Sequence, residues 1–236
     1  MSSRLHSLVI ENLGTRIVSG ELAPGTSLHT DSIEEALGVS RSVVREAVRV
    51  LQSLGLVKPV PRLGLRIRPR ADWNVFDPEI IRWRIASEQK GAQLRSLTEL
   101  RAAVEPAAAE LAARHSPDDI AAELMAVAAR MRAVGRSGDL QTFLELDIQF
   151  HSLVLAASGN EMFSHLRNVI GEVLRGRTDY GLMPDHPHEE ALQLHVDVAN
   201  AIQSRDPDAA RTAMDRIMRR TIAEVEQVWL DTPREH

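Results

Sequence analysis

The sequence predicts a mainly α-helical protein, an N-terminal winged helix-turn-helix followed by an all-α helical bundle. Three observations carry this. Residues 1–70 hold 10 Lys and Arg against 6 Asp and Glu, a net of +4, and the remainder is −9, so the overall −5 conceals a basic head on an acidic body. The head reads as helix, short helix, tight turn, helix and hairpin. From Asp72 onward no strand signal appears.

The elements follow in order. Leu5, Leu8, Val9, Leu13 and Ile17 recur at helical spacing over residues 4–19, and Gly20, Pro24 and Gly25 close that helix with a turn. A short helix over 31–37 ends at Gly38. A third runs from Arg41 to about Leu54, with Ser40 as N-cap, Gly55 as the closing glycine and Val43, Val44, Ala47, Val48 and Leu51 as its buried stripe. LVKPV and LRIRP, separated by PRLG, read as two strands of a hairpin. WNVFDPEIIRWRI reads as a connection, placing the domains at 1–70 and 91–232 with 71–90 between them. Helices are expected over 96–115, 118–136, 139–157, 160–177, 187–204 and 206–230, with Pro106 kinking the first.

Composition narrows the function. The 236 residues are enough for two domains, and no run approaches ~18 consecutive apolar residues, so no membrane span is expected. The N-terminus lacks the apolar block of a signal peptide, which makes the cytoplasm the expected location. Cysteine is absent, excluding disulfides, thiolate metal sites and a cysteine nucleophile. Aromatics at 3% argue against a base-stacking surface for single strands.

Two constellations carry chemistry. Arg41, Ser42, Arg45 and Arg49 share one face of the third predicted helix, opposite its Val/Ala/Leu stripe. A helix entering the major groove needs short or basic side chains there, because forked guanidinium contacts reach guanine edges and phosphates. Arg62 and Gly64 fall at the hairpin tip, where a wing touches the DNA backbone. The second constellation is Asp147 and His151, one helical turn and about 6 Å apart along the axis, a spacing that suits two ligands of one metal ion or a surface ion pair. His195 sits among Leu192, Leu194, Val196 and Val198, where a histidine is more often a satisfied core residue. No general base stands beside this set and no nucleophile motif appears, so a metal-dependent enzyme is the weaker alternative.

IVSGELAPGTSL followed by LGVSRSVVREAVRVLQSLGLV resembles the head domain of the GntR family of bacterial transcription regulators. Arg41 and Arg45 match the family pattern. The common LPSERELAE stretch is LHTDSIEEA here, and the usual wing QGRGTFV is PRLGLRI, with Arg62 where the first wing glycine is usual. ELRAAVEPAAAELAA, LDIQFHSLVLAASGN and LHVDVANAIQSRDPDAARTAM resemble the FCD-type effector domain of the FadR-like branch. The resemblance implies a divalent ion, zinc or similar, held by Asp147, His151 and His195 beneath a carboxylate effector. The fourth ligand position of that pattern is Ile217. Arg101 stands where members of the branch place an arginine facing the effector. Arg175 and Arg177 are further candidates, although a helix end is more often solvated. WNVFDPEIIRWRI with ELRAAVEPAAAELAA resembles regulators of gluconate and galactonate catabolism. The implied protein is a homodimeric repressor on a palindromic double-stranded operator, released by a sugar acid. The alternatives are another small carboxylate, such as lactate or a dicarboxylate, and an acyl-CoA.

Overall fold

The computed structural model describes residues 2–183 and 187–234, and the chain divides into two compact units, 1–90 and 91–236. In the first unit, α1 (Ser2–Val18) is followed by β1 (Ser27–Leu28), α2 (Thr30–Leu37), α3 (Arg41–Ser53), β2 (Val57–Val60), β3 (Gly64–Ile67) and α4 (Pro78–Ile85). The strands form an antiparallel sheet in the order β1-β3-β2, with Val57 opposite Ile67 and Val60 opposite Gly64. The core joins Val9, Leu13 and Ile17 of α1 to the predicted stripe of α3, with Leu65 and Ile67 behind the wing. Leu5 and Leu8, expected in the stripe of α1, are instead exposed.

Three local readings change. β1 was not expected: two residues suffice because β3 supplies the register. Residues 71–90, read as a connection, belong to the first unit. Within them α4 begins at Asp77, whose carboxylate accepts from the Glu79 N–H, with Pro78 at the first helical position. Trp73, Ile80 and Trp83 bury into the first core, and Trp83 donates its Nε1–H to Glu11 at 3.0 Å. Ser40 does occupy the N-cap of α3 with extended backbone, but its hydroxyl makes no cap bond. It lies 3.0 Å from the Ser42 hydroxyl instead.

The end of α3 matters for aiming the hairpin. Leu54 is the C-cap and Gly55 follows at φ +78°. The Gly55 N–H bonds the Gln52 carbonyl and the Leu56 N–H bonds that of Leu51, which is a Schellman closure. A Cβ at Gly55 would overlap the Asp72 carbonyl oxygen far inside van der Waals contact, and that backbone atom cannot rotate away. Gly55→Ala is therefore expected to destabilise the protein by roughly 2 kcal/mol or more, since left-handed backbone and overpacking each cost on the order of 1–2 kcal/mol. Chemical denaturation with an unchanged midpoint would contradict this.

The second unit is helical in its described elements: α5 (Lys90–His115), α6 (Asp118–Ser137), α7 (Leu140–Ala157), α8 (Glu161–His165), α9 (Arg167–Asp179), α10 (Glu189–Gln203) and α11 (Pro207–Val225). Helix α10 packs between α6 and α11, α6 also packs on α7, and α7 packs on α9. Pro106 removes one donor from α5 without ending the helix. The helix expected over 160–177 is two. Leu166 closes α8 with an i→i+3 bond to Phe163, while Ser164 Oγ and His165 Nδ1 engage the Asn160 and Glu161 carbonyls of the preceding turn. Helix α11 ends at Val225, and a 3₁₀ turn, Glu226–Val228, takes the place of its expected last turn.

Candidate functional site

The bundle brings Asp147 and His151 of α7 and His195 of α10 together, all buried, with one ligand atom from each within 4.8 Å of the others. Asp147 Oδ1 is 3.3 Å from His151 Nε2 and 3.4 Å from His195 Nε2. The ring orientations decide what these atoms offer. His195 Nδ1 lies 2.8 Å from the Ala191 carbonyl, which only accepts, so Nδ1 carries the proton and Nε2 presents a lone pair. His151 Nδ1 lies 2.5 Å from Glu105 Oε2, and its Nε2 faces inward in the same way. Two imidazole lone pairs and a carboxylate oxygen thus face one another, an arrangement that requires a proton or a cation among them. A tetrahedral ion with bonds of ~2.0–2.1 Å spaces its ligands about 3.4 Å apart, so the three residues fit a divalent ion. Histidine ligands held from behind by a carboxylate and a carbonyl are the usual outer support of such an ion.

Glu105 is a supporting residue that sequence reasoning missed. It lies one turn after Arg101 on α5, and both are 1% exposed in an alanine-rich helix. Arg101 Nε donates to Glu105 Oε1 at 2.5 Å, Nη2 approaches His151 Nε2 at 3.3 Å, and the buried Nη1 has no hydrogen-bond partner. Burial raises the Glu105 carboxyl, but the Arg101 guanidinium and His151 outweigh it and hold the carboxyl down at about 2. Burial likewise opposes the Asp147 charge, and in the ion-free site a proton on Nε2 of a charged His151 or His195 ring hydrogen-bonds the carboxylate and holds it well below the ordinary range. Burial lowers the His151 imidazole, and the Glu105 charge overcomes this and raises it.

These groups open onto a cavity of about 50 Å³ whose lining includes Arg101, Asp147, His151, Arg177, His195, Ile217 and Glu224. Ile217 is buried against it, so the fourth family ligand position is apolar. Arg177 corrects the expectation of a solvated helix end. It is 4% exposed, and its Nη2 donates to Glu224 Oε2 at 2.9 Å. Arg175 is solvated, as that expectation had it, and pairs with Glu172 at 2.6 Å. Arg220, Thr221 and Glu224 also line the cavity; with Ile217 they lie at i, i+3, i+4 and i+7, one face of α11. That periodicity was in the sequence, but an Arg/Glu pattern on a helix reads first as solvated.

In the first unit, Arg41, Ser42, Arg45 and Arg49 are exposed along α3, opposite its buried stripe. Arg49 Nη1 bonds both Glu46 oxygens, at 2.9 and 3.0 Å, while Arg45 is 3.5 Å from Glu46 and 67% exposed. Arg45 is thus the less engaged of the two. At the wing, Arg62 adopts φ +65°, which explains why glycine suits this position in the family pattern. Gly64 lies at the root of β3, where a Cβ would clash with the Leu28 carbonyl oxygen. Its role is to let β1 and β3 approach, and the exposed tip consists of Arg62 and Leu63.

A winged helix with a bare arginine face, joined in one chain to a bundle with a buried polar pocket, defines a DNA-binding regulator. Residues 5–67 match the bacterial regulatory proteins of the gntR family and residues 96–220 match the FCD domain. The chain belongs to the gntR family, with an FCD domain, and is a transcription regulator rather than an enzyme. It is 31% identical over 216 residues to the HTH-type transcriptional regulator YieP of Escherichia coli (strain K12), covering 91% of this chain and 93% of that one. It is 28% identical over 207 residues to the galactonate operon transcriptional repressor of the same organism, covering 87% and 90%. The solved structure of E. coli McbR/YncC has the same fold, with a TM-score of 0.53, 20% identity and coverage of 94% and 97%. Among the described residues no helix is long and apolar enough to cross a membrane.

Proposed function

We propose that the protein is a homodimeric repressor, released from a palindromic operator when a six-carbon aldonic acid occupies the bundle pocket. The observation that carries this reading is the convergence of Asp147, His151 and His195 beside the unpartnered Nη1 of Arg101. Asp147, His151 and His195 would hold a divalent ion, and when bound it supplies open positions for the oxygens of an α-hydroxy carboxylate. The protein does the rest. Arg101, fixed by Glu105, keeps one donor free for the carboxylate, and burial strengthens that contact. Ile217 adds no fourth ligand, leaving room for the effector. On the first unit, Arg41, Ser42, Arg45, Arg49 and Arg62 would contact DNA. Two-fold protein symmetry matches two half-sites, and the effector acts only through its differential affinity for the DNA-competent and incompetent states. Likeness to the galactonate operon repressor supports the choice of acid. The cavity of about 50 Å³ favours a second reading, a shorter hydroxy acid such as lactate, because ligand pockets usually exceed ~300 Å³.

Zinc-loaded protein, on an operator fragment obtained by in vitro selection, tests this by fluorescence anisotropy. Gluconate or galactonate at millimolar concentration is expected to lower operator affinity and to raise the melting temperature of the free protein. If neither acts while lactate, a dicarboxylate or an acyl-CoA does, the effector belongs to that other class.

A further inference from the structure

We propose that Arg177, Glu224 and Thr221 form the wall of the pocket that reads the hydroxyl-bearing chain of the effector. This rests on the sugar-acid reading above and adds which residues separate a polyol acid from an acid of the same length without hydroxyls. A chain hydroxyl is both donor and acceptor, so a site that recognises several of them needs groups of both kinds. The metal-ligand end of the pocket is poor in free acceptors once Asp147 and the imidazoles are engaged. Other lining residues supply both. Arg177 comes from the last turn of α9 and is buried, with a partner for Nη2 but none for Nε. Glu224 accepts from Arg177 at 2.9 Å and pairs ionically with Arg220 at 3.0 Å, and its side chain is 27% exposed. Thr221 adds a buried hydroxyl one turn from Ile217.

The size of the cavity gives this wall its selectivity. About 50 Å³ does not admit a six-carbon chain, and the paired Arg177 and Glu224 are among the side chains that would move to enlarge it. Opening the pair exposes a guanidinium and a carboxylate that must find new partners. An aldonate provides them, because its hydroxyls accept from Arg177 and donate to Glu224. A 2-hydroxy acid with an alkyl tail provides none and leaves the buried Arg177 guanidinium without a partner, which is how a polar site rejects an analogue lacking its hydroxyls. A three-carbon acid needs no opening, so this wall leaves its binding untouched.

The test is calorimetric titration of the zinc-loaded, full-length protein with gluconate, galactonate, 2-hydroxyhexanoate and lactate, comparing wild type with Glu224→Gln and Arg177→Lys. Glu224→Gln keeps the shape and removes the charged acceptor. It is expected to weaken binding of the better aldonate about tenfold or more, the scale of a charge-assisted hydrogen bond, with zinc content unchanged. Arg177→Lys is expected to act in the same direction, because a lysine lacks the Nε–H donor. Wild type is expected to prefer the aldonate to 2-hydroxyhexanoate. Unchanged aldonate affinity in Glu224→Gln, or tighter wild-type binding of 2-hydroxyhexanoate, overturns this inference while leaving the sugar-acid reading standing. A wild type that binds lactate and neither aldonate overturns that reading, and this inference with it.

Discussion

Asp147→Asn is expected to abolish the effector response while leaving operator binding intact. Asp147 Oδ1 is the atom shared by both imidazoles, at 3.3 and 3.4 Å, so its loss removes the centre of the cluster rather than one edge. Outer-support residues of metal-binding histidines already cost 10–100-fold in affinity when changed, so replacing a direct carboxylate ligand should cost about 100-fold or more. Asparagine keeps the shape, so the surrounding core of Phe150, Val154 and Leu155 has no cavity to fill. The four residues proposed to read DNA on α3 lie in the other unit of the chain and keep their conformation. The variant should then be a repressor that no longer lets go. Elemental analysis should find the metal gone, and anisotropy should show operator affinity near wild type that millimolar gluconate or galactonate does not reduce. A variant still carrying one equivalent of zinc would remove Asp147 from the ligand set. One that loses zinc but keeps its effector response would show that the acid is held by Arg101 and its neighbours without an ion.

The parts of this site that were legible in the sequence are those whose spacing coincides with an element's period. Asp147 and His151 share a helical face at i, i+4, and Arg41, Ser42, Arg45 and Arg49 share another. His195 was ambiguous, because a histidine between leucines and valines reads equally as core; only the approach of α10 to α7 places it 3.4 Å from Asp147. Glu105 was hidden for a similar reason. Its partner Arg101 is one turn away, and an Arg/Glu pair at that spacing ordinarily stabilises a solvated helix surface. Here both are 1% exposed, because they lie on the buried face of α5, followed there by Ala108, Ala109, Ala112 and Ala113, and the bundle closes over the pair. Arg177 is the same case at a helix end. Charge is assigned to solvent by default, and only tertiary packing shows when it is enclosed with a compensating partner. In the fold, α4 carried a readable start in Asp77-Pro78, yet its eight residues, Trp83 among them, lack the length for a clear period. Leu166 interrupts α8 and α9 with no glycine or proline to mark it, which is why one helix was expected there.

Arg45→Ala is the second change expected to have a large effect, and it acts on the other unit. The side chain is 67% exposed and only loosely engaged by Glu46 at 3.5 Å, so its removal leaves no buried group unpaired and should not alter the melting temperature. A good forked contact to a base edge is worth ~1–3 kcal/mol of discrimination. In the proposed two-fold dimer Arg45 would lie at both half-sites, so the loss would count twice and specific operator affinity should fall by roughly 2–6 kcal/mol per dimer. Arg49→Ala is expected to do less, since Glu46 already binds that guanidinium through two bonds, at 2.9 and 3.0 Å. Arg45→Lys separates the two kinds of contact. Lysine keeps the charge and the phosphate attraction but cannot fork onto a guanine. If Arg45 reads a base, the lysine variant should retain the salt dependence of binding and lose the preference for operator over random DNA. If it contacts only phosphate, the lysine variant should behave as wild type and the alanine variant should weaken all sequences alike, with a shallower salt slope. An alanine variant that binds the operator as tightly as wild type would mean that α3 does not carry the recognition.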